Sequence, residues 1–283
     1  MALAAHDTAK AIFRGMDRAT LDAAYNNSAA VADSPQWLAQ WQRRSADRRA
    51  GPGVRLDLAY GDKERTSLDY FSAGESGAPL LVFLHGGYWQ RNAKEMFSFV
   101  AEGPNARGID VAVVGYTLAP AARLSQIADE IDQALAFLIA DTEQFGFDRR
   151  RLVVGGWSAG GQLASLASTR SSVRGALCIS GIFDLEPIAL CYLNDLLRLD
   201  RREIAELSPL RLVHVGAAPQ CLAVGGDELP ELRRQTADYA ELACAVGSPI
   251  TARILAGHHH FSMLDELSAD GALTGELLRL VGA

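Results

Sequence analysis

The chain has 283 residues, 49% hydrophobic and 22% charged, which suits one large α/β domain that buries its own core without staples. Its net charge of −7 argues against the basic face that nucleic-acid binding needs. No apolar run approaches the roughly 20 residues needed to span a bilayer. The first seven residues also lack the basic-then-apolar pattern of a secretory leader.

The four cysteines, Cys178, Cys191, Cys221 and Cys244, show neither CxxC nor metal-like spacing, and they read as reduced, structural thiols. A cytoplasmic location is therefore expected.

Residues 1–50 are helical in composition. Ser34-Pro35 marks a helix start, and Trp37 and Trp41 share one face of that helix. The segment reads as a helix packed on the main body, with a cap over an active site as the alternative. Gly51-Pro52-Gly53 ends it, and residues 54–60 and 66–71 alternate like the strands of a hairpin. Pro79–Leu84 is a continuous apolar run, as a strand buried on both faces requires.

From there helices and strands alternate. Helices are expected at 92–107, over Ile127 to Leu138, and at 159–169 and 229–246. Strands are expected at 109–115, 152–154, 175–180, 221–224 and 250–255. Residues 185–210 read as a helix-rich insertion and 261–282 as helical. The pattern predicts one domain over 1–283. Its sheet should be mostly parallel and doubly wound, with antiparallel N-terminal strands, helices on both faces and a small helical cap.

The sharpest chemical signal is Gly156-Trp157-Ser158-Ala159-Gly160, placed between a predicted strand and a predicted helix. A serine on such a turn is exposed, and a helix N-terminus lies behind it, as a nucleophile requires. His85-Gly86-Gly87-Tyr88-Trp89 follows a buried strand. Acyl transfer needs preorganised N–H donors for its oxyanion. Gly86 or Gly87, with Ala159, is the expected source.

His85 precedes the serine and so reads as a loop-positioning residue rather than the base. In this fold the order is Ser, acid, His. The acid should end a late strand, which points to Asp227, with the adjacent Glu228 as the alternative. The base should come from His258, His259 and His260. Neighbours along a loop rarely converge on one ion, so no metal is expected there. His6 and His214 are isolated and are given no role.

Together these motifs resemble the arylformamidase (kynurenine formamidase) branch of the α/β hydrolases. The similarity runs through HGGYWQ at 85–90, SGIFDLEPI at 180–188, VGGDELPELRRQ at 224–235 and HFSMLDEL at 260–267. Trp157 stands where animal members carry histidine. The resemblance implies an α/β-hydrolase fold and a triad of Ser158, Asp227 and His260. It also implies hydrolysis of an N-formyl aryl amine through a formyl-enzyme, without metal or organic cofactor.

Tyr88, Trp89 and Trp157 would then line a small acyl pocket, or else pack the core. The alternatives are an esterase or amidase with another small acyl substrate and, more remotely, a non-catalytic binding protein of the same fold. The expected partner is a small-molecule substrate, with neither nucleic acid nor membrane, and a homodimer is left open.

Overall fold

A computed structural model describes residues 10–213 and 217–282. His6, His214 and the first seven residues lie outside them. The centre of the molecule is one eight-stranded sheet. Its strands are β1 (Val54–Ala59), β2 (Ser67–Phe71), β3 (Ala78–Leu84), β4 (Asp110–Val114), β5 (Phe147–Trp157), β6 (Gly175–Ile179), β7 (Gln220–Gly225) and β8 (Ile250–Leu255), in the spatial order 1-2-4-3-5-6-7-8. β1 pairs with β2, and β2 with β4, antiparallel. Every other neighbouring pair is parallel.

The burial of each strand follows its place. β3, β4, β6 and β7 are buried at every residue, as central strands covered on both faces must be. The edge strands β1 and β8 have no fully buried residue. Helices cover both faces, and this is the α/β-hydrolase fold. No helix among the described residues is long and apolar enough to cross a membrane.

Two elements differ from the sequence expectation. The run expected to be a helix over 92–107 is a 3₁₀ helix at Lys94–Ala101 followed by a short α-helix at Glu102–Ala106. Lys94 is drawn inward to the carboxylates of Asp57, Asp69 and Glu95. Gly103 passes so close to the Leu267–Ala269 backbone that a Cβ would lie 1.9 Å from the Leu267 oxygen. β5 is much longer than 152–154, because its first half carries the polar Asp148-Arg149-Arg150-Arg151 stretch, which masks strand periodicity.

The Ser34–Arg49 helix begins with proline in its first turn and packs on the 3₁₀ helix. Trp41, fully buried, meets Phe97, Phe99, Trp157 and Phe261 at ring-centroid distances between 5.2 and 5.8 Å. At the helix C-terminus Arg49 pairs with Asp69, which is wholly buried on β2 and also accepts from Lys94 Nζ at 2.7 Å. Removing one member of a buried charge cluster strands the others, at a cost of about 3–5 kcal/mol. The exposed Asp57, 2.5 Å from the same Lys94, is screened by solvent.

Asp69→Ala is therefore expected to lower unfolding free energy by about 3–5 kcal/mol in urea denaturation. Asp57→Ala should lower it by about 1 kcal/mol or less.

Candidate active site

Parallel strands bring all their C-terminal ends to one edge of the sheet, where ligands bind in such folds. Here β3 leads to His85-Gly86-Gly87, β5 to Ser158, β6 to Ser180, β7 to Glu228 and β8 to His260. The pairing of Leu84 with Gly156 sets the glycine loop beside the serine.

Ser158 has φ 59° and ψ −118°, a conformation in which an L-residue is strained. It is the turn between β5 and the Ala159–Ala167 helix. Its N–H donates to the Ile179 oxygen at 2.8 Å, and its carbonyl accepts from Gly161 at 2.9 Å. The turn closes only because its glycines lack side chains. A Cβ on Gly156 would lie 2.1 Å from the Gly160 oxygen, and one on Gly160 would lie 1.9 Å from the Leu84 oxygen.

His260 is buried, and its Nδ1 lies 2.7 Å from Glu228 Oε2. A carboxylate oxygen can only accept, so Nδ1 carries the proton of this hydrogen bond, and the carboxylate leaves Nε2 unengaged. Glu228 is buried in turn. Its Oε1 accepts from Ser180 Oγ at 2.5 Å and from the Gly225 amide at 2.8 Å. Ser180 reaches it from a left-handed backbone position, φ 51°, at the end of β6.

The carboxylate on the imidazole is thus Glu228, and the expectation of Asp227 is corrected. Asp227 is exposed on the turn, with its amide bonded to the His258 oxygen. Glu228 is the residue that the turn directs back into the protein.

The other two histidines of the run point elsewhere. His259 Nδ1 accepts from the amides of Phe261 and Ser262, each at 3.2 Å, and its ring meets Trp37. His258 Nε2 lies 3.3 Å from Glu266.

In the glycine loop, Gly86 packs on the Trp157 ring, where a Cβ would come within 2.5 Å, and it is Gly87, at φ +119°, that borders the cleft. The Gly86 carbonyl accepts from His85 Nδ1 at 2.8 Å and from Asn92 Nδ2 at 3.1 Å. In a trans peptide the N–H points opposite the carbonyl, so these two bonds also set the direction of the Gly87 amide. The Ala159 amide opens the helix directly behind Ser158.

The cleft at Ser158 and His260 is lined by Tyr88, Trp157, Phe261 and Leu38, and by the polar Asn26, Asn27, Arg91 and Tyr192. Tyr88 is fixed at its tip: its hydroxyl donates to the Tyr25 carbonyl at 2.7 Å and accepts from Asn27 Nδ2 at 3.0 Å. Trp157 Nε1 donates to the His260 carbonyl at 2.9 Å, which ties the ring beside the serine to the backbone of the histidine loop. Trp89 is not a wall of the cleft. It is fully buried, with Nε1 bonded to Gln162 Oε1 at 3.1 Å on the helix behind Ser158, so its expected contact with substrate is corrected.

The cleft-lining Asn26, Asn27, Ser28 and Leu38, together with Arg91 and Tyr192, carried no catalytic or binding signal in the sequence. Nothing in their spacing marks them.

Burial holds the His85 imidazole at about 4, well below its ordinary value, and its ring stacks on Tyr116 at 4.2 Å. An unfolded imidazole titrates near 6.5. Between about 6.5 and 4 the unfolded chain binds a proton that the folded chain refuses, so this contribution is present above 6.5 and lost as pH falls. Urea denaturation from pH 7 down to 4.5 should show the wild type losing up to roughly 3 kcal/mol more than His85→Gln. Parallel curves for the two proteins would remove this role from His85.

Comparison with known proteins gives a consistent picture. The BD-FAE family model matches residues 68–184. A kynurenine formamidase of Salmo salar is 30% identical over 244 residues, covering 80% of this chain and 82% of that protein. One of Danio rerio is 27% identical over 243 residues, again covering 80% and 82%. Among solved structures, a putative thioesterase from Silicibacter sp. superposes with a TM-score of 0.80 at 28% identity, covering 90% of this chain and 97% of that one. Esterase LipW of Mycobacterium marinum, with a TM-score of 0.73 at 19% identity over 90% of this chain and 91% of that one, shares the fold. With its sheet, its serine turn and these relatives together, the chain is a hydrolase and belongs to the kynurenine formamidase family.

Proposed function

We propose that the protein hydrolyses N-formyl aryl amines through a triad of Ser158, His260 and Glu228. The observation that carries the triad is the buried chain from Ser180 and the Gly225 amide through Glu228 to His260 Nδ1. It leaves Nε2 as the free base in the cleft that Ser158 lines.

In this reading His260 Nε2 takes the Ser158 proton as Oγ attacks the formyl carbon. The oxyanion sits on the amides of Gly87 and Ala159, the loop donor held in direction by His85 and Asn92. Glu228 fixes the tautomer and stabilises the imidazolium, which then gives its proton to the departing arylamine. Water, deprotonated by the same imidazole, attacks the formyl ester on Ser158. Formate leaves, and the serine recovers its proton.

The preference for formyl is supported by the cleft walls. Tyr88 and Trp157 border Ser158 and are each pinned by hydrogen bonds, so neither ring can swing aside to admit a long acyl chain. The same rings offer an aromatic leaving group a stacking surface. The relatives named as kynurenine formamidases support the same substrate class. The N-terminal segment acts as a cap in this reading, since Asn26, Asn27, Ser28 and Leu38 line the cleft. A thioester is the second substrate to test, because the Silicibacter neighbour is described as a putative thioesterase.

Ser158→Ala should lower kcat by roughly 10⁴–10⁶-fold and Glu228→Gln by about 10³–10⁴-fold, while Asp227→Asn changes it less than about threefold. His258→Ala and His259→Ala should lose less than about tenfold, against near-complete loss in His260→Ala. A dead Asp227→Asn beside an active Glu228→Gln would restore the aspartate as the acid.

For the substrate, purified protein is compared on N-formylkynurenine, formanilide, p-nitrophenyl acetate, p-nitrophenyl butyrate and an acyl thioester. The expected order places both formamides above butyrate in kcat/KM. Inert formamides beside a well-cleaved butyrate or thioester would replace the formamidase reading.

A further inference from the structure

The cleft lining contains one permanently charged side chain, Arg91. It is exposed, and no carboxylate of the described residues lies within the 4.0 Å of an ion pair. Other arginines of the described residues also lack a carboxylate partner, Arg43, Arg149 and Arg201 among them, but none of those lines the cleft. Acidic residues also outnumber basic ones, 34 to 27, so carboxylates are not scarce. No aspartate or glutamate lines the cleft.

The backbone beneath Arg91 is well held. Its amide donates to the Gly87 carbonyl at 3.1 Å, and the neighbouring Gln90 Nε2 donates to the Leu193 carbonyl at 2.8 Å. Tyr192, half-buried, lines the same wall beside the guanidinium. A guanidinium and a phenol hydroxyl side by side are both donors, and a carboxylate accepts from both. Arginine matches a carboxylate with two parallel N–H bonds.

We propose that Arg91, assisted by Tyr192, is the specificity residue that selects substrates carrying a carboxylate on the part that reaches the mouth of the cleft. This rests on the proposed formamidase reading in one respect: a formyl group is too small to carry a carboxylate, so the anion must belong to the aryl amine. The guanidinium binds and orients. It takes no part in bond making. A charge at the rim acts on encounter and ground-state binding, so its effect falls on KM rather than on kcat.

The test uses two matched pairs, each an anion and its neutral counterpart. They are N-formylanthranilate with formanilide, and 4-acetoxybenzoate with phenyl acetate. Arg91→Ala is expected to raise KM for the anionic member by about tenfold, with kcat within about twofold, and to leave the neutral member unchanged. Arg91→Lys, which keeps the charge but not the paired N–H bonds, should recover only part of the loss, Arg91→Glu should deepen it, and Tyr192→Phe should cost less than Arg91→Ala.

Equal losses on both members of a pair would show a merely structural role and overturn the proposal, as would an unchanged KM for the anions. If the formamides are inert but the ester pair shows the charge discrimination, the formamidase reading falls and the role of Arg91 stands. If the formamides are cleaved without discrimination, the role of Arg91 falls alone.

Discussion

The close approach of the Ala159–Ala167 helix to the end of β3 is the constraint on which the rest of the site depends. At Gly160 there is no room for a Cβ between the helix and the Leu84 carbonyl, and at Gly156 none between strand and helix. This contact bends the chain sharply enough to hold Ser158 in its strained conformation. It also sets the glycine loop after β3 against the serine. Gly86 lies on Trp157, Trp89 anchors to Gln162 of the same helix, and Gly87 faces the cleft. A side chain at Gly160 would push the serine turn away from the glycine loop.

The second organising element is a line of buried polar contacts. Ser180 and the Gly225 amide hold one oxygen of Glu228, and the other holds His260. Buried polar groups persist when each has its partner, and a satisfied network of this kind is rigid. Trp157 joins it from the side of Ser158 through the His260 carbonyl. Serine turn, acid turn and histidine loop are therefore linked to one another, and not only to the sheet.

The N-terminal segment completes the enclosure from outside the sheet. Tyr25 accepts from Tyr88 through its carbonyl, and its hydroxyl bonds to Glu231 and Gln235 on the helix that follows the acid turn. Asn27 meets Tyr88 from the other side. One short stretch thus bridges the glycine loop and the acid helix, and its residues line the cleft. Its helix at Ser34–Arg49 is tied down separately by the burial of Trp41 and the Arg49–Asp69 pair.

What the sequence determined by itself was whatever depends on neighbours along the chain. Apolar runs marked the central strands, because a strand buried on both faces must be continuously apolar. Glycines at fixed offsets marked the serine turn, because only their absence of side chain lets it close. The histidine run and the acidic pair were visible as candidates. The tertiary structure decided which candidates act together. Asp227 and Glu228 are adjacent, and only the direction of the turn after β7 sends one into solvent and the other to His260. Trp89 and Tyr88 are also adjacent, and the turn buries one in the core and leaves the other on the cleft. Asn27, Arg91 and Tyr192 meet in one cleft from three distant stretches of the chain. Such convergence leaves no local pattern, because packing, rather than spacing along the backbone, brings those side chains together.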